Sequence, residues 1–153
     1  MTTRGIRFLE ERGAQFEEVD YVYKRKGAGR AAHAVGWRED QVIKTLVVRT
    51  GPRDFLFALL PADRDLSTRK LARLLEVKSV DLAEVRDAER LTGYAEGGIS
   101  PFGSYAALPV VMEEQLLGHE RVLINAGRRG VLVALSPWDL AELLGARVEA
   151  LVA

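Results

Sequence analysis

The distribution of apolar and polar residues along the chain predicts a mixture of strands and helices. The clearest strand pattern is the β-branched, apolar run of residues 42–48, which is followed, after a turn at Gly51-Pro52, by the apolar run of residues 55–60. This arrangement is typical of a β-hairpin. Further strands are predicted at residues 16–23, 108–112, 121–125, 131–135 and 147–152, and residues 77–80 are an additional candidate.

Helical periodicity, together with start and stop signals, predicts about five helices. The best-defined one begins at Ser136-Pro137 and ends at Gly145, because serine caps a helix, proline is favoured in its first turn and glycine ends it. The predicted helices span residues 3–12, 27–35, 67–75, 82–91 and 136–145. Roughly six or seven strands in mixed order with about five helices predict a single α+β domain over residues 1–153.

The segment of residues 92–104 interrupts these regular elements, since it holds four glycines and one proline in thirteen residues. Glycines allow backbone amides to approach a ligand closely, and successive amides of a turn can bind an anion. The same composition is also common in tight connections. The residues alone leave both interpretations open, although the missing Gly-Lys-Ser/Thr ending excludes a P-loop.

Lys44 is the one charged residue in the apolar strand of residues 42–48. An ammonium is unfavourable inside a strand that is buried on both faces unless it is paired or faces a cavity. One interpretation is that Lys44 extends outward at a sheet edge, as lysines often do. The other is that its cation lies in a pocket and binds a phosphate, a carboxylate or a developing oxyanion.

Two short basic segments are candidates for contacts with phosphate groups. Residues 24–30 carry four cations and no acid, and Arg128 and Arg129 lie in a turn flanked by glycines. Such segments can follow a nucleic-acid backbone, but they are also common as solvated loops. Lys24, Lys26, Arg128 and Arg129 are the predicted phosphate contacts.

Composition narrows the range of functions. The 22 basic and 22 acidic residues cancel, which argues against a general DNA-binding protein but not against an enzyme that binds one end of a nucleic acid. Without cysteine the chain has no disulfide, thiolate metal site or cysteine nucleophile, and its two histidines lie in different segments. We find no signal peptide and no apolar run near the roughly 20 residues of a membrane span. We therefore expect a soluble, cytoplasmic protein without a membrane partner.

Three motifs occur in order along the chain: the strand of residues 40–48, the segment Thr92-Gly93-Tyr94 with the loop Gly97-Gly98-Ile99-Ser100-Pro101-Phe102-Gly103, and the turn Gly127-Arg128-Arg129-Gly130. Together they resemble the YbaK/EbsC family of freestanding aminoacyl-tRNA deacylases, which is similar to the editing domain of bacterial prolyl-tRNA synthetases. The resemblance covers essentially the whole chain. A strand lysine followed about 50 residues later by this glycine-rich loop is a specific combination.

The resemblance implies a mixed, barrel-like sheet surrounded by the helices. It also implies hydrolysis of tRNA that carries the wrong amino acid, typically Cys or Ala on proline tRNA, without a metal or a cofactor. Lys44 and Gly98 take the implied catalytic roles. The implied substrate-binding residues are Tyr21, Gly97, Ile99, Ser100, Pro101 and Gly103. The implied partners are the 3′ acceptor end of aminoacyl-tRNA and prolyl-tRNA synthetase.

Two departures from the family pattern keep the substrate open. The Cys-tRNA deacylases usually carry an aspartate in the strand after Gly130, where this chain has Val131-Leu132-Val133-Ala134. They also carry a basic cluster after Gly103, where this chain has Ser104-Tyr105-Ala106-Ala107. The alternative hypothesis is therefore a non-catalytic module that binds aminoacyl-tRNA or a nucleotide beside a tRNA synthetase.

Overall fold

The computed structural model describes residues 2–24 and 27–153, which form an α+β fold, as predicted. Its described residues contain five helices of eight residues each. They are α1 (Arg4–Glu11), α2 (Ala28–Val35), α3 (Thr68–Leu75), α4 (Val85–Thr92) and α5 (Pro137–Leu144). The five helices agree with the number and positions that the sequence predicts.

The strands form two sheets. They are β1 (Glu17–Asp20), β2 (Ile43–Gly51), β3 (Asp54–Pro61), β4 (Asp81–Leu82), β5 (Val110–Glu113), β6 (Val122–Arg128), β7 (Val131–Leu135) and β8 (Arg147–Glu149). The larger sheet has the order β4-β2-β3-β5-β8 and is mixed, since β5 lies parallel to both β3 and β8. The smaller sheet, β1-β7-β6, is antiparallel.

The expected single barrel-like sheet of six or seven strands is not observed, because the hydrogen-bonded pairing between the two sheets, within the described residues, is an isolated bridge between Val42 and Leu123. One edge of β2 pairs with β3 along its length, while the other edge pairs with β4 only at Val48 and Arg49. Within the described residues, residues 44–46 therefore have no strand partner on that edge. The sheets separate at this point instead of closing.

The alternation of side chains along β2 divides the core. Ile43 and Val47 point into the largest apolar cluster, which lies between the two sheets and also contains Phe57 and Phe102. Val48, on the opposite face of the strand, belongs to a second cluster that packs α3 against the large sheet. A third, smaller cluster joins α2 to β6 and β7.

Side chains cap the starts of several helices, and residues in the left-handed conformation end several. Ser67 Oγ accepts a hydrogen bond from the Lys70 N–H at 3.1 Å at the start of α3. The same helix ends at Glu76, which adopts the left-handed conformation with a φ of 56°. Glycine usually occupies this position, because a Cβ atom makes the left-handed conformation unfavourable.

The helices of the described residues are all too short or too polar to cross a lipid bilayer.

We expect Glu113 to be important for stability. Its side chain is buried, with 1% exposure, and its carboxylate accepts hydrogen bonds from the N–H groups of Leu151 at 2.7 Å, Val152 at 3.1 Å and Gln115 at 2.8 Å. Glu113→Ala should lower the free energy of unfolding by about 3 kcal/mol, because it leaves buried donors without an acceptor. Urea denaturation measures the change. The exposed neighbour Glu114 supplies the control, since Glu114→Ala should change stability by no more than about 0.5 kcal/mol; equal effects would contradict the assignment.

Candidate active site

A cavity of about 440 Å³ lies at the open edge of β2, between this strand, α2, the smaller sheet and the loop of residues 97–103, which we call the glycine loop. Its polar lining consists of Tyr21, Lys44, Thr45, Glu96 and Asn125. Its remaining lining is apolar or glycine: Gly27, Ala28, Ala31, Val42, Ile43, Leu46, Gly97, Ile99 and Leu132. The structure thus brings four of the predicted site residues, Tyr21, Lys44, Gly97 and Ile99, to one cavity.

The backbone of β2 also faces this cavity. The Ala62 N–H donates to the carbonyl of Val42, whereas the carbonyl of Val47 accepts from Ala83 on the opposite edge of the strand. Since backbone groups alternate in direction along an antiparallel strand, the odd-numbered residues direct their N–H and C=O groups away from β3. The backbone of Thr45 therefore points to the open edge.

Lys44 is only partly buried, with 23% of its side chain exposed. Its Nζ lies 3.3 Å from Asp65 Oδ1, and the side chain of Asp65 is 94% exposed. An ion pair with so exposed a partner contributes little to stability. The ammonium of Lys44 can therefore exchange this carboxylate for an anionic group in the cavity at little energetic cost.

Thr45 is a site residue that the sequence did not single out. Its Oγ1 is buried and has no hydrogen-bond partner among the described residues. A buried hydroxyl without a partner is unfavourable, and such groups in native proteins often mark a place where a ligand or water binds. Because Thr45 lines the cavity, a bound ligand can supply the missing partner.

Side chains of β6 and of the turn that follows it hold the start of the glycine loop. Asn125 Nδ2 donates to the carbonyl of Gly97 at 3.2 Å and to that of Arg128 at 3.3 Å. Arg129 Nε donates to the carbonyl of Glu96 at 2.7 Å. Asn125 was not predicted as a site residue, and only its position just before the Gly127-Arg128-Arg129-Gly130 motif could have indicated it.

At Gly98 the backbone of the glycine loop passes close to the backbone of Arg128 and Arg129 in the turn between β6 and β7. A Cβ atom at Gly98 would lie 2.9 Å from the backbone nitrogen of Arg129 and 3.0 Å from the carbonyl carbon of Arg128. The described lining of the cavity does not include Gly98. Its small size allows Gly97 and Ile99 on either side to reach the cavity.

The far end of the glycine loop is anchored away from the cavity. Ser100 and Pro101 are buried, and Ser100 Oγ accepts a hydrogen bond from the Phe102 N–H at 3.1 Å. The carbonyl of Gly103 accepts from Arg4 Nε at 2.7 Å. None of Ser100, Pro101 and Gly103 is among the described residues that line the cavity.

Arg4 connects the two ends of the segment that contains the glycine loop. Besides its bond to Gly103, its guanidinium donates to the carbonyl of Thr92 at 2.7 Å. It also lies 4.3 Å from the centre of the Tyr94 ring and 4.1 Å from that of Tyr105. Two hydrogen bonds and two cation–π contacts fix one guanidinium, and through it the loop, in a single position.

Tyr21 contributes a hydroxyl to the cavity. Burial raises the pKa of Tyr21 above its ordinary value, and the neighbouring Tyr23 adds to the increase. The hydroxyl therefore remains protonated at neutral pH and can donate a hydrogen bond. Glu96 is the single carboxylate in the described lining.

The predicted phosphate contacts are dispersed around the cavity. Lys24 is exposed and lines a second cavity of about 1070 Å³, which shares Tyr21 and Gly27 with the first. Arg128 and Arg129 are exposed on the turn beside the glycine loop. The prediction for Lys26 falls outside the described residues. Within the described chain, no group of three histidine or carboxylate side chains is placed to hold a metal ion.

Replacing Gly98 by alanine should destabilise the protein, because the added methyl group overlaps backbone atoms that cannot move independently. We expect a decrease of about 1–3 kcal/mol in the free energy of unfolding. Gly118→Ala is the matched control, since a Cβ atom at Gly118 would have no neighbour within 4 Å. Thermal and urea denaturation of both variants measure the difference. Equal stability of the two variants would contradict the close approach described above.

Residues 24–143 match the family model of the aminoacyl-tRNA editing domain. A relative in Enterococcus faecalis, EbsC, is 29% identical over 146 residues, which make up 92% of this chain and 87% of EbsC, and its name refers to deacylation of Cys-tRNA(Pro) and Cys-tRNA(Cys). A proline–tRNA ligase of Lactobacillus delbrueckii subsp. bulgaricus is 29% identical over 87 residues, which are 57% of this chain but 15% of the ligase.

A solved structure shows the same fold over the full length of the chain. It is a crystal structure presented as a candidate trans-editing enzyme for prolyl tRNA synthetase, and it superposes with a TM-score of 0.89 at 30% sequence identity. The match covers 100% of this chain and 99% of that one. Since the family model also spans residues 24–143, the chain belongs to the aminoacyl-tRNA editing domain family.

Proposed function

We propose that the protein acts in trans on mischarged tRNA and hydrolyses the ester bond between a small amino acid and the 3′ end of proline tRNA. The observation that carries this proposal is the convergence of Lys44, Gly97 and Ile99 on one cavity at the open edge of β2. A volume of about 440 Å³ lies within the range of small-ligand sites. The terminal adenosine and its aminoacyl group bind there.

The reaction needs little more than positioning and electrostatic stabilisation, because an aminoacyl ester is already activated. The attacking oxygen of water forms a bond to the ester carbonyl carbon, the bond from that carbon to the ribose oxygen breaks, and the ribose oxygen takes up a proton. The cation of Lys44 stabilises the negative charge that develops on the carbonyl oxygen or orients the acceptor end. Gly98 lets the glycine loop pack against the turn between β6 and β7. This packing presents the backbone groups of Gly97 and Ile99 to the substrate.

The proposed amino acids are Cys, Ala or another small residue. The lining around Lys44 is largely apolar, and the strand that follows Gly130 contributes Leu132 rather than an acid. This environment suits a methyl side chain and attack by water. If the substrate is Cys-tRNA, its own thiol can attack the ester carbonyl carbon instead. The bond from that carbon to the ribose oxygen then breaks, the thiol proton passes to this oxygen, and the cyclic thiolactone that is released hydrolyses in water. The proposal requires no metal or cofactor in either case.

The tRNA approaches past several basic residues. Lys24, which lines the adjoining second cavity, the exposed Arg128 and Arg129, and Lys26 are the proposed contacts for the acceptor-strand phosphates. Ser100, Pro101 and Gly103 are proposed to act on the substrate through the position of the glycine loop. Prolyl-tRNA synthetase in the cytoplasm is the proposed source of the mischarged tRNA.

A non-catalytic module that binds aminoacyl-tRNA beside a synthetase is the second candidate. The observation in its favour is the run Val131-Leu132-Val133-Ala134, which has no acid where Cys-tRNA deacylases usually have one. Retained binding without turnover of proline tRNA charged with Cys, Ala or Ser would support this alternative and reject the enzyme.

Removal of the Lys44 charge should reduce deacylation. Lys44→Met keeps most of the apolar stem, and we expect kcat/KM for mischarged proline tRNA to decrease about a hundredfold or more, because the developing oxyanion loses its cation. Release of labelled amino acid measures the rate. The control is Lys70→Met, in which the lost ammonium donates to the carbonyl of Val152 at 2.8 Å and lies outside the described lining of the cavity. Equal rates for Lys44→Met and the native protein would reject Lys44 as a catalytic residue.

The hydroxyl of Thr45 should matter for the substrate and not for the fold. Thr45→Val removes a buried hydroxyl without a partner, so the free energy of unfolding should stay the same or increase by about 1 kcal/mol. The KM for mischarged tRNA should rise, since the bound substrate loses a hydrogen bond. Thr50→Val, in the same strand but outside the cavity lining, is the matched control for steady-state kinetics and denaturation. An unchanged KM in Thr45→Val would show that the substrate does not use this hydroxyl.

A further inference from the structure

A second basic surface lies outside the cavity, in a groove between α3 and residues 77–80. The groove has a volume of about 490 Å³ and is lined by the cations Arg69, Arg73 and Lys78, by the hydroxyls of Thr68 and Ser79, and by Ala72, Val77 and Val80. No carboxylate is among these described lining residues. We call it the basic groove. The sequence analysis did not identify it, and the site described above does not use it.

The cations of the basic groove have no ion-pair partner within the described chain. Five arginines elsewhere each pair with a carboxylate: Arg38, Arg86, Arg90, Arg121 and Arg147. Arg69, Arg73 and Lys78 are exposed, and their side chains take part in none of the described ion pairs. In a chain with a net charge of zero, this groove is therefore a local concentration of positive charge.

Two unfavourable features occur together at the basic groove. Arg69 and Arg73 are four residues apart on α3, so that two like charges are neighbours on one helix face, which destabilises a helix. Glu76, which ends α3 and leads into the wall of the groove, is the one non-glycine residue with a positive φ in the described chain. Backbone strain of this kind is concentrated at functional sites in native proteins. The N–H of Glu76 donates to the carbonyl of Arg73 at 3.2 Å, whereas no ion pair within the described chain offsets the repulsion between Arg69 and Arg73.

The basic groove lies on the same side of the large sheet as the side chain of Lys44. Lys44, Leu46 and Val48 lie on the same face of β2, because side chains two residues apart in a strand point to one side. Leu46 and Val48 pack in the cluster that contains Ala72 and Val80 of the groove. Val80 directly precedes Asp81, which pairs with Arg49. Five residue-to-residue steps along β2 separate Lys44 from Arg49, a distance of about 17 Å. A polyanion with one end in the cavity can therefore extend along this face to the groove.

We propose that the basic groove binds the sugar–phosphate backbone of the tRNA whose 3′ end occupies the cavity. This inference rests on the proposed function, since it assigns a second contact to the same substrate. The ligand chemistry is that of successive phosphates, because the lining offers three cations and two hydroxyls and no carboxylate that would repel them. The groove should therefore contribute affinity that depends on salt and not on sequence.

The test compares Arg69→Ala/Arg73→Ala with Arg147→Glu, which removes the same net positive charge at β8 on the opposite edge of the large sheet. For full-length proline tRNA charged with alanine, the double variant should raise KM several-fold without changing kcat. For a minimal substrate, an alanylated CCA trinucleotide, its kcat/KM should equal that of the native protein. The slope of log binding constant against log salt concentration for uncharged proline tRNA should decrease by about 1.4–1.8, since roughly 0.7–0.9 is lost for each phosphate contact.

The outcomes separate this proposal from the proposed function. If the native protein hydrolyses no charged tRNA but the double variant reduces the salt slope, the groove still binds RNA and only the deacylase assignment for this substrate fails. An unchanged KM and salt slope in the double variant, with normal deacylation by the native protein, would reject the groove. Equal losses for the trinucleotide and the full-length tRNA would also reject it, since the effect would then arise within the cavity. Circular dichroism and urea denaturation verify that both variants are folded.

Discussion

The candidate site depends on the unpaired edge of β2 at residues 44–46. A strand in a sheet normally satisfies its backbone groups on both sides, and closure of the two sheets would have filled this space with hydrogen bonds to β6. The single bridge between Val42 and Leu123 holds the sheets together just before they separate. The open edge creates the cavity, directs the backbone of Thr45 into it and leaves Lys44 near its mouth. The same feature therefore accounts both for the departure from a barrel and for the site.

The glycine loop is rigid because neighbouring elements hold it at each end. Asn125 and Arg129 bind the carbonyls at its start, and Arg4 binds the carbonyls of Thr92 and Gly103. Backbone groups that are fixed before a substrate arrives need no reorganisation when charge develops, which is the condition for electrostatic stabilisation. The arrangement also explains why the motif of residues 97–103 divides into two parts, one that reaches the cavity and one that anchors the loop.

The local elements were predictable from the sequence, whereas the relation between distant elements was not. Periodicity and caps predicted all five helices, and two apolar runs joined by a turn predicted the hairpin of β2 and β3. The two-residue strand β4 exists through its pairing with Val48 and Arg49 and has no pattern of its own. Lys44 was ambiguous as long as its neighbours were unknown. Thr45 and Asn125 were missed for the same reason, since the contacts that distinguish them come from residues far away in the chain.

An apolar cavity restricts how the proposed enzyme can choose its substrate. Attraction to one methyl group provides only about 1–3 kcal/mol of discrimination, which is too little to separate alanine from other small residues by binding alone. Exclusion is stronger, because a side chain that overlaps a packed wall cannot be accommodated without moving the core. The wall here includes Ile43 and Leu132, which belong to the buried clusters, and Ile99, which the anchored glycine loop holds in place. This rigid wall rejects a correct amino acid that is bulkier, and an aminoacyl group small enough to enter the cavity is hydrolysed. Such selection by size needs no specific acid in the editing site.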